Sequence, residues 1–177
     1  MKKIYTIIVA ILSLCVLATA SVSASDVAEN TDTIEFFEFT ESNARMGANG
    51  NFTFLVRIRL VSDTFYATSN QLRLNVKAWI YNQGTDPDET PDEYDTHDID
   101  TSVRYTVTLY KKVGLGGREE VGHYTGSCSN QSGGRLFSVE EGEAYFLEIT
   151  SNYDFTGSPR FIKGEGSVSP MSLNPPE

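Results

Sequence analysis

The stretch DPDETPDEYDTHDID, residues 86–100, holds eight carboxylates: Asp86, Asp88, Glu89, Asp92, Glu93, Asp95, Asp98 and Asp100. A calcium ion takes roughly six to eight oxygen ligands, so this is the first place to look for chemistry. The spacing excludes the helix-loop-helix calcium loop. Counted from Asp86, Pro91 falls where a glycine must turn the chain, and His97 where a bidentate glutamate must close the site. A looser calcium site, built from Asp95, Asp98 and Asp100 with backbone carbonyls, is the metal expectation, and no other cofactor is expected. Against it stands a solvated acidic loop, since Pro87 and Pro91 stiffen the segment and like charges repel unless neutralised.

A second set is cationic and aromatic. Arg57, Arg59, Arg73, Lys77, Trp79 and Tyr81 share one alternation parity in two patterned stretches. If those stretches pair, they form a basic stripe with aromatic plates, suited to an extracellular protein or a glycan. The acidic loop, attached at the end of this face, would then be placed to fold over it. The plain alternative is a solvent face whose charges block aggregation while a neighbouring loop covers Trp79.

Nucleophilic chemistry finds little footing. Cys128 stands five residues after His123 in a small polar turn, a spacing that does not put a base beside a thiol. Neither His97 nor His123 has metal-ligand spacing to another His or Cys. Glu119, Glu120, Glu140, Glu141 and Glu143 occupy turn-flanking positions where solvated acids are expected. The expectation is a protein without catalysis.

Charge and cysteine content narrow the partners. Lys2 and Lys3, the apolar run Ile4–Ala18 and the small residues ending at Ala24 read as a secretory leader, residues 1–24, cleaved after Ala24. Its removal takes two lysines and no acid, leaving 12 Lys+Arg against 24 Asp+Glu, a net −12. Nucleic acid and anionic lipid are repelled by such a chain. No membrane span is expected in the mature chain. Only Cys128 survives cleavage, so no internal disulfide can form. An exported domain without bridges favours a bacterial source.

The elements that must position these residues are strands. NFTFLVRIRLV alternates Phe52, Phe54, Val56, Ile58 and Leu60 inward against Thr53, Leu55, Arg57 and Arg59. QLRLNVKAWIYN and VRYTVTLYKK repeat the pattern, while TIEFFEFTE changes phase between Phe36 and Phe37, as at a bulge or where a strand crosses between sheets. GLGG, Gly114–Gly117, has the backbone freedom for a tight turn. The expected layout is a polar lead-in at 25–32, a single domain at 33–166 and a flexible tail at 167–177. Its fold class is all-β, an antiparallel sandwich of the immunoglobulin-like, Greek-key type with about seven to nine strands.

VEEGEAY spaces Val139, Gly142 and Tyr145 just before an alternating strand. This resembles the tyrosine corner of immunoglobulin-like domains over seven residues, and implies a hydroxyl turned back on the upstream backbone where the chain changes sheets. The disulfide and the buried core tryptophan of those domains are not expected here. The functional expectation is a secreted, non-catalytic protein of binding or surface-interaction type. The alternatives are a calcium-steadied carbohydrate-binding module and a small secreted hydrolase.

Overall fold

Alternation sets the strands wherever it is clean. The computed structural model describes residues 35–40, 48–82, 99–155 and 160–176. In chain order these form β1 (Phe36–Thr40), β2 (Ala48–Val56), β3 (Arg59–Val61), β4 (Phe65–Ala67), β5 (Gln71–Asn82), β6 (Asp100–Val113), β7 (Gly117–Cys128), β8 (Gly133–Ser138), β9 (Ala144–Ser151) and β10 (Arg160–Ser172). On β5, Leu72, Leu74, Val76, Ala78 and Ile80 are buried, and on β6 so are Val103, Tyr105, Val107 and Leu109. Period-two side chains put each set on one face, and each face is the core.

All pairing is antiparallel and falls into two layers. One runs β1-β2-β10-β5-β8, and the other runs from β3 and β4 through β9 and β6 to β7. The two are joined where Met171 and Ser172 of β10 pair with Ala67 and Tyr66 of β4. Rings close the space between layers: Phe54 meets Tyr105 at 6.4 Å and Phe39 meets Phe65 at 5.9 Å between centroids. Burial of these side chains, at roughly 1.5–3 kcal/mol each, is the main force holding the layers together. The fold is therefore all-β and sandwich-like, as the alternation implied.

The tyrosine corner is present. The Glu140 N–H donates to the Tyr145 hydroxyl at 2.8 Å, and that hydroxyl donates to the Glu140 carbonyl at 3.3 Å. It stands between β8 and β9, which lie in different layers. GLGG also turns as expected: a 3-10 turn at Gly114–Gly116 joins β6 to β7, with Gly116 at φ 78° and the Gly117 N–H bonded to the Gly114 carbonyl.

Several expectations are corrected. The strand expected over residues 52–60 breaks at Arg57 and Ile58, where the chain leaves the first layer for the second. Ile58, expected inward, is 55% exposed, and Leu55, expected outward, is buried. This break and the short β4 raise the strand count to ten among the described residues. The register of β1 on β2 runs unbroken from Phe36↔Leu55 to Thr40↔Asn51, so the phase change at Phe36 is no bulge within that pairing. Residues 167–172, expected in the tail, belong to β10, and Val168 and Met171 are buried. A register shift between those two accommodates Pro170, which has no N–H to give the ladder. Cys128 lies at the end of β7 within the core rather than in a polar turn.

Candidate functional site

The stripe expected from Arg57, Arg59, Arg73, Lys77, Trp79 and Tyr81 required β2 and β5 to be neighbours. They are not, because β10 lies between them in register with both. Arg57 falls in the bend and Arg59 on β3, in the other layer. Arg73 is exposed near the start of β5, and Lys77 pairs with Glu165 at 2.8 Å. Trp79 alternates outward yet is only 6% exposed. The rings of this face are engaged by the protein's own cations: Arg57 lies 4.3 Å over Phe161, Lys163 5.0 Å over Tyr81 and Lys77 5.9 Å over Trp79. Long basic side chains lay their apolar stems on such rings, so the plates are not open faces.

Of the calcium set, Asp95 and Asp98 fall outside the described residues, as does the acidic segment up to residue 98. Asp100 begins β6. Its Oδ1 accepts from the Ser102 hydroxyl at 2.6 Å and the Ser102 N–H at 3.0 Å, bonds that hold its carboxyl below the ordinary range. Among the described residues no three His, Cys, Asp or Glu side chains converge as a metal site. Burial pushes the Cys128 thiol up to about 12. Glu140 and Glu143 both approach Lys111, at 2.8 and 3.6 Å, and Glu120 meets His123 at 3.0 Å.

Arg59 leads to the more organised site, on the outer face of the second layer. Val61 of β3 stands opposite Glu148 of β9, and Glu148 opposite Thr108 of β6. Next along the same face, Phe146 stands opposite Tyr110. Their rings stack at 5.4 Å with 18° between planes. From β3 the Arg59 guanidinium reaches Glu148 Oε2 at 2.5 Å, and from β7 the Arg118 guanidinium reaches the same oxygen at 2.7 Å. Arg118 crosses the Tyr110 ring on the way, 4.6 Å from its centroid.

Glu148 is the keystone of this arrangement, with a side chain only 10% exposed. Burial alone pushes its pKa up, but the bonds and charges of Arg59 and Arg118 outweigh that, and the carboxyl sits below its ordinary range. The arginines remain half in water, 52% and 47% exposed, so each keeps donors facing outward. Beside them Val61 and Val113 are exposed, and Leu115 at the hairpin tip is fully so.

Sequence reasoning reached Arg59 and missed Glu148, Arg118, Tyr110 and Phe146. The two arginines lie 89 and 30 residues from Glu148, so no local motif joins them. One signal was available: Tyr110 and Arg118 flank GLGG on either side, and a hairpin turning there brings them together.

The fold and site define an antiparallel β-sandwich protein with an arginine–aromatic face. No protein-family model matches the chain, and no curated protein matches it. Among solved structures it is similar to the Yersinia pseudotuberculosis-derived mitogen, at 10% identity and a TM-score of 0.35. The match covers 70% of this chain and 86% of that one. A likeness of that size carries no argument about family or function.

Proposed function

We propose that the protein is exported from a bacterium and acts without catalysis, as a binding or surface-interaction protein. Its recognition surface is the outer face of β3, β9, β6 and β7. One observation carries this reading: exposed Val61, Val113 and Leu115 accompany two half-exposed arginines, one of them lying on a stacked pair of rings, in a chain of net charge −10. Arginine and aromatic anchors supply most of the energy in protein interfaces, and the apolar neighbours exclude water around them. The leader-like N-terminus supports export, and the acidity of the whole supports a partner other than nucleic acid.

The test is binding of the labelled protein to intact bacterial cells and to isolated wall material. Val61→Glu and Val113→Glu place a charge at exposed positions of the face. Each should keep the thermal midpoint and lose most of the bound fraction. Binding undiminished in both variants would refute the reading.

A glycan is the second reading, favoured by a groove of about 380 Å3 across the other layer. Asn51, Thr53, Asn75 and Ser167 line it with amide and hydroxyl groups that match sugar hydroxyls. Loss of wall-polysaccharide binding in Asn75→Ala, with Val61→Glu unaffected, would transfer the function to that groove.

A further inference from the structure

We infer that the groove between β3 and the β6–β7 hairpin docks an extended acidic peptide segment of a partner protein, with Leu115 as an apolar anchor. This rests on the binding function proposed above and names its ligand. The groove measures about 460 Å3, and Val61, Val113 and Phe146 supply its apolar walls. Among the described residues, its charged lining residues are Lys112 and Arg118. Glu148 offsets one charge of the Arg59–Arg118 pair, the nearby Glu120 is engaged by His123, and Asp63 stands in the chain between lining Ser62 and Thr64, so the donors turned to the groove itself are those of Arg118 and Lys112. Two cationic side chains on the wall of one groove, in a chain that is acidic as a whole, favour an acidic ligand there.

The walls favour a peptide over an anionic glycan. A sugar ring that stacks does so on an open aromatic face, but Tyr110 is stacked on Phe146 and overlaid by Arg118, and the lining lacks the run of amide and hydroxyl groups found in the other layer's groove. Aliphatic walls suit an aliphatic or aromatic side chain. Leu115 adds an independent sign. It holds a left-handed backbone, φ 61° and ψ 28°, between Gly114 and Gly116, and its side chain is fully exposed. Backbone strain and solvent exposure are both unfavourable for leucine, and among the described residues its fully exposed side chain gains no packing in return. The side chain's benefit lies in what it meets outside.

The experiment is fluorescence anisotropy of a labelled synthetic peptide alternating glutamate and leucine, beside a lysine-for-glutamate and a glycine-for-leucine version. Saturable binding is expected for the first alone. It should weaken as ionic strength rises from about 0.01 M to about 1 M, which shortens the screening length from about 30 Å to about 3 Å. Leu115→Gly suits the local backbone, so it should keep its thermal midpoint while binding about tenfold more weakly or worse. Lys112→Glu should erase the preference for the acidic peptide.

Absence of saturable binding at low salt, or equal binding by both variants, overturns the inference. If Val61→Glu still loses cell binding in that case, the recognition surface stands and only its ligand was misassigned. If cell binding is also undiminished, both readings fall. Displacement of the peptide by a sulfated polysaccharide whose own affinity ignores Leu115→Gly would assign the site to a glycan and equally overturn the inference.

Discussion

Replacing Glu148 with glutamine probes the arginine–aromatic face at its centre. The substitution keeps shape and one acceptor oxygen but removes the charge that two guanidiniums share at 2.5 and 2.7 Å. A fully buried carboxylate losing two charge-assisted bonds would forfeit ~3–6 kcal/mol. Here both arginines are about half in water, so solvent recovers most of that and ~1–2 kcal/mol of stability is lost. For a chain of 177 residues this lowers the thermal midpoint by about 3–6 °C. The pH dependence supplies a second, sharper reading. The folded carboxyl lies below its ordinary 4.5, so its stabilisation is fully present above that value and is lost as pH falls through the folded pKa. The gap in midpoint between the parent and Glu148→Gln should therefore be flat near neutrality and close progressively below about pH 4.5. Calorimetry across this range measures it. A gap near zero at neutral pH, or one that persists undiminished at about pH 3, would refute the account of Glu148 as a charge-sharing keystone.

Three further outcomes test the fold around the site. A Cβ at Gly164 would run into the Phe54 ring and come within 2.7 Å of the Lys77 carbonyl, so Gly164→Ala should cost ~2 kcal/mol by overpacking, read as a lowered denaturation midpoint. Tyr145→Phe strands the Glu140 N–H and carbonyl at the corner between layers, and chemical denaturation should show a loss of ~1 kcal/mol with little change in secondary structure by circular dichroism. Cys128 is fully buried and its thiol is held up at about 12, so a thiol-specific reagent at neutral pH should label it only in denaturant, and rapid labelling of the native protein would contradict its placement in the core.

The parts of the fold that were legible in the sequence are those where one strand answers to one face. QLRLNVKAWIYN matches β5 end to end, and the alternation of Val103, Tyr105, Val107 and Leu109 is the buried face of β6. Tyr145 was legible because its partner is only five residues away. Illegible were the features decided by distant chain. Alternation from Phe52 to Leu60 looks continuous, yet the strand must break at Ile58 because β2 and β3 serve different layers. Parity places Trp79 outward but carries no information about the cation that lies over it. Pairing order is equally invisible locally, so the interposed β10 separated two strands whose patterns invite each other. For the candidate site the same rule held: strand pattern singled out Arg59 but for a stripe that does not form, while Glu148 draws its importance from side chains on two other strands.

The interposed strand also governs the order in which the molecule can assemble. Residues 160–172 are the last of the described strands to be synthesised, yet they fill the middle of a layer and also tie it to β4. Without them β2 and β5 each lack the strand that answers the backbone donors and acceptors of one edge. A growing chain thus cannot complete this sheet from its N-terminal end. Its first layer is complete only once the last of the described strands takes its place between β2 and β5.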